Sequence, residues 1–256
     1  MILDIDKRIC APSWVMAGTI AENAEFLKNK VSNLCLNLFE TQACLNYTEK
    51  DLPKSLTTLF SHFNLHLPVD IKWPNQNLET EIKKIIKIIK KIIKKTEFLN
   101  PSFAVLHPPS GNIEYKKQAL TIFANYWEKE NSIPILLENI STCNIIELGK
   151  NFLEETGYGF CLDVGHLLGY NQKELFHTKL IEKAKLIHWS APGNQDQHLA
   201  LTKFTEEQRK NAYSLYLRMS NTAIHLIEVF NWQGIEQSIP ILKLWDNKKL
   251  EKNALL

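Results

Sequence analysis

The stretch Phe160-Cys161-Leu162-Asp163-Val164-Gly165-His166 joins an apolar run to a carboxylate, a glycine turn and an imidazole. An Asp and a His at this spacing can serve one metal ion or two neighbouring ones, although ordinary turns use the same residue types. Its weight therefore depends on company. Other apolar runs in the chain end the same way: Leu65-His66-Leu67-Pro68, Leu106-His107-Pro108, Leu137-Glu138-Asn139, Ile187-His188-Trp189 and Ile227-Glu228-Val229. A polar segment after the His188 run adds Asp196-Gln197-His198. Carboxylates and imidazoles are the oxygen and nitrogen ligands that zinc, manganese and iron accept. Nine such groups exceed what one tetrahedral or octahedral ion can use, and two or three ions fit the number better. Burying so many of them together without a cation is costly.

The elements that must position these groups are short apolar runs alternating with helical patterns. Strands are predicted at Arg8–Ala11, Leu34–Phe39, Phe63–Leu67, Phe103–His107, Ile135–Glu138, Gly159–Asp163, Leu186–Trp189 and Ile224–Val229, and a helical pattern follows each. Strict alternation implies a parallel sheet covered by helices, and eight repeats favour closure into a single (β/α)₈ barrel of the α/β class. In such a barrel the C-terminal strand ends form one ring, so residues distant in sequence converge at one mouth. An open doubly wound sheet is the alternative, but no glycine-rich phosphate fingerprint follows the first strand.

The helical signals are ordinary. Thr19 with Glu22 forms a capping-box pattern. Ser141 precedes a helical pattern from Ile145 to Phe152, and Gly157 marks its stop. Ile82 to Lys95 is almost wholly Ile and Lys, with apolar positions 82, 85, 86, 89, 92 and 93 on one face. It reads as an outer helix with a solvated lysine face, with a membrane-surface or anion-binding helix as the competing reading. One domain is expected over residues 1–256, with a polar tail or frayed helix from about 246.

Composition narrows the function. Thirty basic against 28 acidic residues give no global field for nucleic acid or membrane. Arginine is limited to Arg8, Arg209 and Arg218, which disfavours a duplex-DNA binder. Five cysteines (Cys10, Cys35, Cys44, Cys143 and Cys161) have no C-x-x-C spacing and read as reduced thiols. The first residues, Met-Ile-Leu-Asp-Ile-Asp-Lys-Arg, carry charge where a signal peptide needs an apolar run, and no stretch has membrane-span length. A soluble cytoplasmic protein without a membrane partner is expected. His62, His177 and His225 read as structural or surface residues.

Glu138, Asp163, His188 and Glu228 resemble the metal quartet of the xylose-isomerase-like barrel superfamily, which includes sugar isomerases and epimerases and apurinic endonucleases of the endonuclease IV type. His66 and His107 match two further histidines of the endonuclease group, and His166, Asp196 and His198 match its third metal site. Short blocks along the chain, among them Ala11-Pro12-Ser13-Trp14, Gly18-Thr19-Ile20-Ala21-Glu22-Asn23, Leu106-His107-Pro108-Pro109, Leu137-Glu138-Asn139-Ile140 and Ala191-Pro192-Gly193, are similar to the bacterial cobamide-remodelling phosphodiesterases.

The resemblance implies a TIM barrel that hydrolyses the nucleotide loop of a corrinoid with two to three divalent ions, zinc foremost, manganese or iron otherwise. One ion would take His66, His107 and Glu138. A second would take Glu138 as a bridge with Asp163, His188 and Glu228, and a third His166, Asp196 and His198. Glu228, Glu138 and Asp163 would be catalytic, with Glu228 orienting or deprotonating the attacking water. Glu40, Trp14, Trp189 and Asn139 stand near the mouth as substrate contacts, the two indoles as stacking surfaces, with Glu40 alternatively a partner of a ligand histidine and Asn139 alternatively a hydrogen-bonding support behind a ligand. Glu40 at a loop, and the indoles as loop packing, have equally ordinary structural readings. A sugar isomerase with one divalent ion is the main competitor and has no use for Asp196 and His198. An apurinic endonuclease and a barrel that merely stores a corrinoid or metal are the others.

Overall fold

A computed structural model describes residues 4–128, 133–194 and 197–254. Eight parallel strands close into a barrel. In chain order they are β1 (Ile9–Pro12), β2 (Asn33–Asn37), β3 (His62–His66), β4 (Ala104–Leu106), β5 (Ile135–Glu138), β6 (Gly159–Asp163), β7 (Leu186–Trp189) and, after a two-stranded ribbon of β8 (Ala191–Pro192) and β9 (His198–Leu199), β10 (Ile224–Ile227). The strands follow one another around the ring, and β10 closes onto β1 through Ile9↔His225 and Cys10↔Leu226. The chain is thus a (β/α)₈ TIM barrel, as its alternating pattern predicts.

Strand parity divides the core into two. Alternate residues face the barrel axis, where Cys10, Cys35, Phe103, Val105, Leu136, Cys161, Leu186 and Leu226 form one small cluster. Their sequence neighbours, such as Leu34, Leu106, Leu137, Leu162 and Ile187, face outward into the larger cluster beneath the helices. The helices are α1 (Ile20–Leu27), α2 (Thr41–Asn46), α3 (Leu78–Thr96), α4 (Ile113–Glu128), α5 (Phe152–Thr156), α6 (Val164–Gly169), α7 (Lys173–Phe176), α8 (Leu180–Lys183), α9 (Glu206–Arg218) and α10 (Trp232–Ala254). Thr19 and Glu22 form the anticipated reciprocal capping box on α1. The Ile/Lys stretch is the body of α3. Ile82, Ile86, Ile89 and Ile92 are buried against the barrel, while Lys83 and Lys84 pair with Glu79 and Glu81 at 2.8 and 2.7 Å.

Two local expectations change. The segment after Ser141 does not run as one helix. Ile145–Leu148 makes a short 3₁₀ turn, Gly149 takes a left-handed φ of 110°, and α5 begins only at Phe152. His62, read as a structural or surface residue, opens β3 and is exposed. The polar residues from Asp246 onward form the last turns of α10. They are anchored because Asp246 is buried and bonds Arg8 at 2.6 Å and the Tyr216 hydroxyl at 2.7 Å. Among the described residues no helix is long and apolar enough to cross a membrane.

Candidate metal centre

The parity that fills the barrel also builds the site. His66 lies two residues beyond Asn64 on the inward face of β3, Glu138 two beyond Leu136, Asp163 two beyond Cys161, His188 two beyond Leu186 and Glu228 two beyond Leu226. His107 follows Val105 in the same way. All therefore point to the axis at the C-terminal end. Asp163 and His188 are direct cross-strand partners. His166 comes from the first turn of α6, whose N-cap is Asp163. His198 arrives from outside the barrel on the β8–β9 ribbon, in register with Pro192.

The groups meet closely. Glu138 is the hub: its Oε2 lies 3.2 Å from His66 Nε2 and 3.5 Å from both His107 Nε2 and His188 Nδ1, and its Oε1 lies 3.3 Å from His166 Nδ1. His188 Nδ1 is 3.0 Å from Glu228 Oε2 and 3.8 Å from Asp163 Oδ2. His198 Nδ1 is 3.4 Å from Glu228 Oε2, and the His166 and His198 rings stand 5.6 Å apart. Ligand atoms of Glu138, Asp163, His188 and Glu228 all lie within 4.8 Å of one another, as do those of His66, His107 and Glu138. Glu138 thus belongs to two groups at once.

These residues fit metal ions better than they fit one another. His66 Nδ1 donates to the Leu67 carbonyl at 2.9 Å, which leaves Nε2 as the acceptor, yet Nε2 faces a carboxylate oxygen. Two acceptors at that distance need a proton or a cation between them. His166 Nδ1 likewise approaches the Asn139 carbonyl at 2.9 Å. Asp163 Oδ1 accepts from the His166 amide, while Oδ2 is buried without a hydrogen bond. Neither ring nitrogen of His188 makes an aligned hydrogen bond either.

Protons carry the charge balance. Burial opposes the charge on Glu138, but His188 and His107 hold it well below the usual carboxylate range. Glu228 is depressed in the same way, against burial, by His188 and His198. Burial raises Asp163. Burial works against charge on His66 and His188, yet Glu138 and Glu228 raise His66, and Cys161 with Glu228 and Glu138 raises His188, above the ordinary imidazole value.

One sequence-derived contact is corrected, and a second is resolved in favour of its supporting alternative. Trp189 follows inward-facing His188 and so points away from the mouth. It is fully buried among Tyr216, His225 and Trp245, and its indole N–H lies 3.0 Å from His225 Nδ1. It is not available to substrate. Asn139 is also fully buried, and its amide is already engaged. Oδ1 accepts from the Asp163 amide at 2.8 Å, and Nδ2 donates to the Asp163 carbonyl and to Gln172 Oε1, each at 2.9 Å. It braces Asp163 instead of touching substrate. Trp14 and Glu40 do line a cavity at the mouth. Asp196 lies outside the described residues. His107, with 28% of its side chain exposed, is the most open of the strand-end groups.

Sequence reading overlooked Cys161, Asn37 and Phe230. The Cys161 sulfur lies within 4.8 Å of ligand atoms of Glu138 and His188. Asn37 ends β2 in register with His66, and its buried amide has no hydrogen-bond partner among the described residues. Phe230 packs its ring 5.4 Å from that of His198. The signal for the first two was parity: each shares the inward face of its strand.

No protein-family model matches the chain, and no curated protein matches it. Solved structures do. A D-tagatose 3-epimerase-like protein aligns at 17% identity and a TM-score of 0.70, covering 96% of this chain and 99% of that one. Endonuclease IV from Thermus thermophilus aligns at 14% and 0.69, covering 94% and 99%. The IolI protein with a binding zinc atom aligns at 13% and 0.65, covering 95% and 96%. These neighbours are xylose-isomerase-like TIM barrels, and at such identities the likeness is one of fold.

Proposed function

We propose that the chain is a metal-dependent phosphodiesterase that hydrolyses the nucleotide loop of cobamides, with two to three divalent ions, zinc foremost. The observation that carries the phosphodiester reading is the excess of ligands around the shared Glu138. His66, His107 and Glu138 would hold one ion, and Glu138, Asp163, His188 and Glu228 another. His166 and His198, rings 5.6 Å apart, stand beside these two groups as the nucleus of a third position. When bound, such ions supply Lewis acidity toward phosphoryl oxygens and make water nucleophilic near neutral pH.

The chain's own residues do the rest. Glu228, held ionised beside His188, is the carboxylate to take a proton from the attacking water. Asp163, braced by Asn139, keeps one oxygen toward the centre. His107, partly exposed, borders the approach to Glu138. The cobamide assignment rests on the sequence blocks that resemble cobamide-remodelling enzymes, and a small corrinoid is the partner it names. The scarcity of arginine weighs against DNA.

A second reading draws on the compactness of the quartet. Glu138, Asp163, His188 and Glu228 suit one divalent ion flanked by two glutamates, as a sugar isomerase or epimerase would use. Metal analysis separates the two. Two to three ions per chain, with loss of the lower ligand from adenosylcobalamin, is the expected result. One ion per chain, with turnover of a ketose and none of adenosylcobalamin or abasic DNA, would transfer the site to the isomerase reading. His198→Ala should abolish diester hydrolysis in a folded protein.

A further inference from the structure

Next to the metal centre, where the loops after β1, β2 and β10 meet, lies a cavity of about 500 Å³ with a largely apolar wall. Trp14, Phe39, Tyr47 and Phe230 line it, with Met16 and Glu40. The rings form a continuous series. Trp14 and Phe39 centroids are 6.2 Å apart, Phe39 and Phe230 are 5.5 Å apart and inclined at 65°, and Phe230 reaches His198 at 5.4 Å. A single exposed apolar side chain needs no explanation. Here Met16 and Phe230 are 42% and 38% exposed within one concave patch that abuts a buried charged centre, which is the character of a ligand subsite.

The polar atoms around this patch are arranged to leave ring faces and one acceptor for a ligand. The Trp14 indole N–H is engaged by the Asn37 carbonyl at 3.0 Å, so the indole offers its faces. Glu40 occupies the N-cap position of α2, yet its side chain makes no cap bond. Asp70 takes over that task from the loop after β3, accepting from the Thr41 amide at 2.9 Å and the Thr41 hydroxyl at 2.6 Å. The exposed Glu40 carboxylate is thereby left at the cavity rim as a hydrogen-bond acceptor.

We infer that this cavity binds a flat heteroaromatic base bearing an amino donor, the base of a nucleotide-like diester whose phosphorus lies at the metal centre. The base stacks in the Trp14, Phe39 and Phe230 series, its amino group meets Glu40, and Phe230 against His198 marks the passage to the phosphate. This deepens the phosphodiesterase reading and rests on it for the position of the phosphorus. Stacking on an aromatic side chain is tolerant of base identity, so a base without an amino group still binds, and Glu40 adds a preference among bases.

The test is calorimetric titration of the metal-loaded protein with adenosine, purine riboside (the same ring without the amino group) and ribose. Adenosine should bind most tightly, purine riboside more weakly, and ribose not measurably. Phe230→Ala, chosen because the side chain is exposed and its loss spares the core, should weaken adenosine about tenfold or more. Trp14→Phe should weaken it less, and Glu40→Ala should erase the preference for adenosine over purine riboside. Equal binding of ribose and adenosine, or unchanged adenosine affinity in Phe230→Ala, would overturn the inference. Hydrolysis of bis(p-nitrophenyl) phosphate without adenosine binding would reject the base subsite and leave the phosphodiesterase standing. Adenosine binding in a protein that cleaves no diester would keep the subsite and reject that chemistry.

Discussion

Removing the Asn139 side chain should loosen the metal centre without touching any ligand. Its amide makes three hydrogen bonds of 2.8–2.9 Å, two to the backbone of Asp163 and one to Gln172. The position is fully buried, so water cannot replace them. At a net ~1 kcal/mol for each bond, Asn139→Ala loses about 3 kcal/mol. For a chain of this length each kcal/mol moves the melting temperature by roughly 2–4 °C, which gives a fall of about 6–12 °C by these principles. Asp163 would also lose the brace that aims its free oxygen, and loss of such a supporting bond typically lowers metal affinity by about 10–100-fold. Asn139→Asp keeps the acceptor toward the Asp163 amide but sets an oxygen against two others, and should destabilise at least as much. Thermal melts and zinc titrations of the purified variants make the measurement. A melting point within about 2 °C of the parent, with unchanged zinc affinity and a raised KM, would return Asn139 to the substrate-contact role that its place in the sequence suggests.

Two further outcomes follow from the charge pattern. His66 and His188 are raised above the ordinary imidazole value, so protonation of both is favoured without metal, whereas a ligand must be neutral. Zinc uptake should therefore release protons, and apparent affinity should rise with pH; calorimetry in buffers of different ionisation enthalpy checks this, and zero release would contradict it. Asp246→Asn should lower the urea midpoint by the equivalent of about 3–5 kcal/mol, the usual effect of stranding a buried charge, because Arg8 and Asp246 are almost wholly buried. A midpoint equal to the parent's would show that the end of α10 is not anchored through this pair.

What was legible in the sequence was whatever depends on period and type. The eight strands stand within a few residues of their predicted places because alternation and apolar runs report burial directly. The same parity delivered His66, Glu138, Asp163, His188 and Glu228 to one mouth. The errors arose where a residue's neighbour decided its direction. Trp189 looked like a stacking surface because it follows a ligand, but following a ligand by one residue is what turns it outward. Asn139 has the same parity as Trp189, and its amide found partners in the adjacent strand end that no local pattern announces. Asp246 looked like the start of a tail because its partner, Arg8, lies at the other end of the chain. Pairings across that separation leave no periodic trace.

The spacing within Asp163-Val164-Gly165-His166 now has a physical reason. Asp163 divides its carboxylate: Oδ1 caps α6 through the His166 amide at 2.6 Å, and Oδ2 is left for the quartet. That cap starts the helix whose first turn carries His166. The helix can lie against the exit of β7 only because residue 165 has no side chain. A Cβ there would stand 2.3 Å from Ser190 Oγ and 3.2 Å from the Ser190 carbonyl oxygen. The same exit leads through the β8–β9 ribbon to His198. The close approach at Gly165 seats α6, and with it His166, beside the exit that leads to His198, while Asp163 and His188 are held in register by the strands themselves. Six candidate ligands, His66, His107, Glu138, Asp163, His188 and Glu228, stand at the ends of barrel strands, and His166 and His198 are placed by how one short helix seats on one loop. The quartet alone could serve an isomerase or a phosphodiesterase alike, so the proposed diester chemistry rests on the groups around it, His66 and His107 from the strands and His166 and His198 from the seating of α6.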